Sequence, residues 1–319
     1  SLLQERNDIK YIEVDQIINI NDCITQKNPD WGLSRINQRG SFEYDSYAYE
    51  SNYSGYGVNI YIIDTGIYCE NDDFVNKAVG TCTFGYSSVK NIFGVVDTTD
   101  GNGHGTHCAG TVAGQTYGVA KEANLIAVKV LSDSGSGAWS GVIAGVNWVA
   151  GQAQTSGRKS VANLSLGGGF IQTVNDAVNA LVAAGVTTAV AAGNDNADAC
   201  DYSPASTPTA ITVAASDKTN ARASYSNYGS CVDIYGPGSA ITSAWIGSPS
   251  ATNTISGTSM ASPHVAGVAA KALSQNPAST PAQITSTILA NAVSDQITGN
   301  KINTPNLVIL SNCVTEPGQ

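Results

Sequence analysis

The sequence predicts an α/β fold, a three-layer α/β/α sandwich around a mainly parallel central sheet. Three observations point there. Strand patterns alternate with helical patterns along most of the chain, as they do where parallel strands are joined by crossover helices. The leading strand is a continuous apolar run, as expected of a strand buried on both faces. Several strands end in glycine-rich turns, and two further glycine-rich turns open helices.

Taken in order, residues 8–15 form a short strand pattern dense in charge, unlike the sparsely charged body. Residues 21–30 are polar, close on Pro29 and read as a linker. A firmer start comes at Trp31-Gly32-Leu33. Val58-Asn59-Ile60-Tyr61-Ile62-Ile63 is the leading strand, running into Asp64-Thr65-Gly66. Asp100-Gly101-Asn102-Gly103-His104-Gly105-Thr106-His107 leads into a small-residue helix over 108–114. Residues 125–131 read as a strand, and 140–153 as a helix with Val142, Ile143, Val146 and Val149 on one face. A strand over 161–166 ends in Gly167-Gly168-Gly169. A helix over 174–184 and a strand over 186–192 follow, the latter ending in Gly193-Asn194. Residues 211–214 and 232–235 are shorter strands. Ser256-Gly257-Thr258-Ser259-Met260-Ala261-Ser262-Pro263-His264 reads as a tight turn breaking into a helix. Gly257 is expected to allow an unusual backbone angle there, and Pro263 to sit in the first helical turn. Residues 265–273 are apolar nearly all round, the mark of a buried helix. No internal repeat and no domain boundary is visible after Trp31.

The chain's 319 residues are ample for a core, and charged residues make up only 13%. The net charge is −10, with no basic patch interleaved with aromatics, which argues against a nucleic-acid partner. No apolar run approaches the roughly 20 residues of a membrane span. Seven cysteines without a CxxC pair suggest disulfides plus one remaining thiol, hence an oxidising compartment.

Ligands of open parallel sheets bind outside the carboxyl ends of the strands. Asp64, Ser165 and Asn194 each fall at such an end. His104 and Ser259 each open a helix, where backbone N–H groups and the helix dipole favour negative charge. A serine there is also an ordinary helix cap, and the stretch alone does not choose between the two. Acyl transfer needs a nucleophile, a base, a carboxylate to orient the base, and an oxyanion donor. Ser259, His104, Asp64 and Asn194 supply one of each. The other histidines, His107 and His264, leave one alternative: a three-histidine zinc site with His104.

Asp64-Thr65-Gly66, His104-Gly105-Thr106-His107 and Gly257-Thr258-Ser259-Met260-Ala261-Ser262-Pro263-His264 resemble the catalytic signatures of the subtilisin-like serine proteases. Ala191-Ala192-Gly193-Asn194 resembles their oxyanion strand. The likeness runs from Trp31 to about Leu310. Tyr117-Gly118-Val119-Ala120-Lys121 and Tyr202-Ser203-Pro204-Ala205 are similar to the proteinase K branch. The resemblance implies Ser259 as nucleophile, His104 as general base and acid, and Asp64 as its orienting partner. Asn194 and the Ser259 backbone N–H would hold the oxyanion. Ser134-Gly135-Ser136-Gly137 and Ser165-Leu166-Gly167-Gly168 resemble the segments that grip protein and peptide substrates as added strands. The backbone of Ala191, Ala192 and Gly193 would line the pocket for the residue before the scissile bond. Its small walls suggest hydrophobic or aromatic preference.

The resemblance also pairs Cys200 with Cys231 and places Cys108 as a free thiol beneath the histidine. Cys69 and Cys82 are close enough in sequence to bridge one loop, and Cys23 and Cys313 are left to join the ends of the body. Thr207-Pro208-Thr209-Ala210 with Asp233 resembles the family's strong calcium site, which implies carbonyl ligands from Pro208 and Ala210 and a carboxylate from Asp233. Near Asn37 and Gln38, Ser34 replaces the carboxylate of a second such site. Ile9-Lys10-Tyr11-Ile12-Glu13-Val14-Asp15 resembles the last strand of an inhibitory propeptide. Residues 1–21 are therefore expected to be its remnant and 22–319 the peptidase domain, with a maturation cut between Asp15 and Asp30. The family further implies a monomer, secreted or held in a vacuole or lysosome, with no membrane partner. Asn52-Tyr53-Ser54 is a glycosylation sequon in an expected loop; Asn163-Leu164-Ser165 is another in an expected buried strand. Residues 315–319 read as a polar tail.

Overall fold

The computed structural model describes residues 23–40, 43–51, 53–90, 94–311 and 313. The expected propeptide strand, Asn52 and the polar tail lie outside the described residues. The helices are α1 (Trp31–Ile36), α2 (Asp72–Val75), α3 (His104–Ala113), α4 (Trp139–Ser156), α5 (Gln172–Ala183), α6 (Thr258–Gln275) and α7 (Pro281–Asn291). The first strands are β1 (Cys23–Lys27), β2 (Ser46–Glu50), β3 (Val58–Asp64), β4 (Cys82–Ser87), β5 (Asn124–Lys129) and β6 (Lys159–Leu164). Next come β7 (Gly168–Gly169), β8 (Val186–Ala191), β9 (Tyr202–Ser203), β10 (Ile211–Ser216) and β11 (Ile234–Pro237). The last are β12 (Ile241–Ala244), β13 (Thr252–Ile255), β14 (Val293–Ser294) and β15 (Leu307–Val308).

Nine strands form the central sheet in the order β14-β15-β11-β10-β8-β6-β3-β5-β4. All neighbours in it run parallel except β14 and β15. β3 shows how the layers arise. Side chains alternate across a strand. Ile60 and Ile62 enter a core with Val112, Val265 and Ile284, which come from α3, α6 and α7. Tyr61 and Ile63 enter a second core with Val142, Val146, Val149, Val178 and Leu181, which come from α4 and α5. The continuous apolar run is therefore two alternating faces, each covered by helices, and the predicted three layers form. Among the described residues, no helix is long and apolar enough to cross a membrane.

Two element readings need correction. Residues 21–30 are not simply a linker: Cys23–Lys27 pairs antiparallel with Ser46–Glu50. The strand is almost wholly exposed, so no buried face marks it in the sequence, and only the tertiary partner reveals it. In α4, Val142, Val146 and Val149 are buried, while Ile143 is only half-buried at the stripe's edge.

Candidate active site

The carboxyl end of β3 delivers Asp64, which is fully buried and whose Oδ1 accepts the Thr65 N–H at 2.7 Å. Helix α3 starts beside it because Gly105 has no side chain; a Cβ there would overlap the Gly66 carbonyl. A second carboxylate holds this junction. Buried Asp100 accepts from the Thr65 hydroxyl and the Asn102 and Gly103 N–H groups with one oxygen. Its other oxygen takes the Thr106 N–H and hydroxyl. These bonds satisfy orphan donors at the helix start, which backbone alone cannot do. His104, the first residue of α3, is thereby fixed with Nδ1 at 2.8 and 3.0 Å from the two Asp64 oxygens. A carboxylate can only accept, so Nδ1 carries the proton and Nε2 is left as a base. Burial alone would lower the His104 pKa; the Asp64 charge and hydrogen bond outweigh it, Asp100 adds to them, and the net shift is upward from 6.5.

Ser259 is the second residue of α6. Gly257, ahead of the helix, has φ 164°, ordinary extended backbone, so the unusual angle expected of it is not found. Nor does Pro263 lie in the first turn; it is inside the helix. Its missing N–H would orphan the carbonyl four residues back, that of Ser259. The Ser165 hydroxyl donates to that carbonyl at 2.7 Å and the Cys108 thiol at 3.4 Å. The Ser259 hydroxyl in turn donates to the Ser165 carbonyl at 3.1 Å, rather than to His104. Deeper in, Asn163 receives the Ser262 hydroxyl and donates to Ser165 Oγ, so the end of β6 is stitched to α6. As expected, α6 is buried nearly all round.

Asn194 follows β8. Its Oδ1 accepts both the N–H and the hydroxyl of Thr258, at 2.8 and 2.9 Å. The N–H can only donate, which settles the amide orientation and leaves Nδ2 as the outward donor. Thr258 Oγ1 also accepts the Gly193 N–H at 3.1 Å.

Two adjoining cavities meet at Ser259. The larger, about 540 Å³, is bordered by His104, Gly135, Ser136, Gly137, Ser165, Leu166, Gly167 and Gly168. The smaller, about 270 Å³, is bordered by Leu166 to Gly168, Ala191, Ala192, Gly193 and Asn194. Of the segments expected to bind substrate, only Ser134 is outside both walls; its hydroxyl bonds to Ser132 and Ser136. The sequence reading missed Asn102, Leu131, Trp139 and Val142 in the larger wall, and Asp195, Tyr202, Ser203 and Ala205 in the smaller. Trp139 had a usable signal, a large aromatic where a helix starts just past a sheet strand. Asn102 and Asp195 lie within two residues of His104 and Asn194 and could have been read with them; the rest come from packing between distant segments.

The zinc alternative does not survive the geometry. His107 Nε2 bonds the Ile241 carbonyl and His264 Nδ1 the Met260 carbonyl. Burial pushes both rings down to a pKa of about 4. Among the described residues, the one metal-sized group of such side chains is Asp64, His104 and Cys108, which contains neither. Disulfides join Cys23 to Cys313, Cys69 to Cys82 and Cys200 to Cys231. Cys108 is free and buried, and burial pushes its thiol well up, which makes it unreactive. Asp233, ahead of β11, and Ala210, ahead of β10, lie at the same end of two adjacent strands. Asp233 Oδ2 accepts the Thr212 N–H at 2.7 Å. Burial pushes its carboxyl up to about 6, and among the described residues it has no ion pair. A half-buried carboxylate lacking a counter-charge fits a cation.

Fold and cleft together define an α/β protein that gathers an aspartate, a histidine, a serine and an oriented amide at the carboxyl edge of a parallel sheet. The chain belongs to the subtilase family, whose family model matches residues 55–307. It is 49% identical over 323 residues to the subtilisin-like serine protease pepC of Aspergillus niger, covering 94% of this chain and 59% of that protein. It is 46% identical over 304 residues to a cuticle-degrading serine protease of Arthrobotrys oligospora, covering 94% and 72%. The chain thus spans about six tenths of the first relative's length. Among solved structures, a cold adapted subtilisin-like serine proteinase matches with a TM-score of 0.79 and 44% identity, over 89% of this chain and 99% of that one.

Proposed function

We propose that this chain is a serine endopeptidase acting through Asp64, His104 and Ser259. The observation that carries the reading is the buried Asp64 carboxylate on His104 Nδ1 at 2.8 Å, with Ser259 on the same cleft wall. The Ser259 hydroxyl leaves its rest position on the Ser165 carbonyl and gives its proton to His104 Nε2 as its oxygen attacks the peptide carbonyl. Asp64 holds the ring and stabilises the imidazolium. Asn194 Nδ2 and the Ser259 N–H take the charge on the oxyanion. His104 then protonates the leaving amine, leaving an acyl group on Ser259, and the reverse sequence with water frees the product.

Peptides would add as a strand between Gly135–Gly137 and Ser165–Gly168. The residue before the scissile bond would enter the smaller cavity, whose alanine and glycine walls suit apolar or aromatic side chains. Pro208, Ala210 and Asp233 would hold a structural calcium; the uncompensated Asp233 carboxylate supports that reading. Three disulfides suit an extracellular or vacuolar site of action. Residues 1–21 are read as the remnant of an inhibitory propeptide, and the peptidase as a monomer.

The test is fluorophosphonate labelling with the modified residue located by peptide mass mapping. The expected result is label on Ser259, lost in His104→Ala. Label elsewhere, or hydrolysis abolished by a chelator yet insensitive to the fluorophosphonate, would overturn it.

A further inference from the structure

We propose that Asn227 is a positioning residue for the oxyanion donor, fixing the loop that carries Asn194; this rests on the serine-endopeptidase reading above. Asn194, Asp195 and Asn196 are all exposed. Past residue 194 the loop is held at Asn196, whose Oδ1 accepts from Arg222 and whose N–H donates to the Tyr225 carbonyl, but the hold nearest the Asn194 amide comes from beneath. Thr258 holds the side chain by its oxygen, which orients an amide only if the backbone bearing it is itself fixed.

Fully buried Asn227 supplies that support. Its Oδ1 accepts the N–H groups of Asp195 and Ala197, at 2.9 and 3.0 Å. Its Nδ2 donates to the Ala192 carbonyl at 2.9 Å. Its own N–H donates to the Gly193 carbonyl at 2.9 Å. The chain is therefore gripped on both sides of residue 194 by one side chain, whose acceptor and donor ends also settle its orientation. Gly193 completes the fit. It has φ +104°, and a Cβ there would overlap the Asn227 amide. The amide occupies the space that any side chain at 193 would need.

A displacement of about 1 Å in a catalytic group costs about 100-fold in rate. Removing Asn227 leaves Asn194 in the chain but no longer aimed, so the loss should fall on the transition state and disappear when Asn194 is absent. The experiment is a double-mutant cycle on the active enzyme, with kcat and KM measured on a chromogenic peptide amide. Asn194→Ala alone should lower kcat about 100- to 1000-fold. Asn227→Ala should lower kcat about 10- to 100-fold with KM within about threefold. In the Asn194→Ala background, Asn227→Ala should change kcat by less than about threefold, because the group it positions is gone. Asn227→Ser, which keeps a polar group beneath the loop and adds no charge, gives the same comparison if the alanine variant does not fold. Equal losses in both backgrounds, or a change confined to KM, would overturn the proposal, since either would mean that Asn227 acts on folding or on substrate rather than through Asn194. A parent protein with no hydrolysis and no label on Ser259 would remove the endopeptidase reading itself, a failure distinct from an additive cycle.

Discussion

Replacing Asp64 with asparagine keeps the side chain's shape while removing the charge beneath His104. The Thr65 N–H at 2.7 Å requires an oxygen at the Oδ1 position. The amide NH2 then takes the Oδ2 position, 3.0 Å from His104 Nδ1, while the retained oxygen stays 2.8 Å away. The new donor competes with that oxygen at Nδ1 and populates the tautomer with its proton on Nε2, which cannot accept the Ser259 proton, and the forming imidazolium loses its counter-charge. Where this substitution keeps the geometry of such a triad, the cost is about 10⁴-fold in kcat, or about 5.4 kcal/mol at 1.36 kcal/mol per factor of ten. KM should stay within a few-fold, because Asp64 is buried and meets no substrate. The imidazole titration, followed by NMR, should also move. Burial lowers the His104 pKa and Asp64 reverses that, so in the variant the midpoint should fall below that of the parent. A raised histidine pKa gives stabilisation that is fully present below the unfolded value, 6.5, and is lost as pH rises through the higher folded value. The parent should lose this increment across that window and the variant should lack it. A kcat loss under about tenfold, or an unmoved titration, would refute the assigned role of Asp64.

Three further outcomes are expected. Burial raises Asp233 to about 6, so calcium-free protein should lose stability as pH rises from about 4 through 6, where this carboxyl must ionise in a buried place. Saturating calcium should abolish that fall, and Asp233→Asn should remove both the pH dependence and the calcium effect; thermal melts with and without a chelator decide it. The Cys200–Cys231 bridge spans 31 residues, for which chain entropy gives about 3–4 kcal/mol. Cys200→Ser with Cys231→Ser should therefore melt roughly 5 °C lower in calorimetry, and an unchanged melt would mean that the bridge constrains nothing. Asp100→Asn cannot accept all five hydrogen bonds that Asp100 receives. It should lower stability by about 1–3 kcal/mol and shift the acidic limb of the pH–rate profile down, since Asp100 helps to raise His104; a limb that stayed in place would remove its electrostatic part.

Much of the site was readable because its parts are local. Asp64, His104, Asn194 and Ser259 each stand at a strand end or helix start beside small residues, where turn chemistry constrains the sequence over a few positions. The alternation of strands and helices gave the layers for the same reason, since hydrophobic periodicity is a short-range signal. The strand Cys23–Lys27 was missed because it is exposed and takes its partner from residues 46–50. Pro263 was misplaced because its tolerance inside α6 depends on Ser165 and Cys108, both far away in the chain.

From the residues alone, then, came the layer order, the four chemical groups and the strand ends that bear them, all set by interactions within a few residues. Only the tertiary structure decided how those groups are held. Asp100 under the Thr65 hydroxyl, Ser165 beneath the Ser259 carbonyl, Thr258 on the Asn194 amide and Asn227 under its loop meet across as many as 94 positions of chain. Such pairings depend on where parallel strands and buried helices come to rest in the compact core. No local pattern marks them, because their hydrogen bonds form only after distant segments have packed.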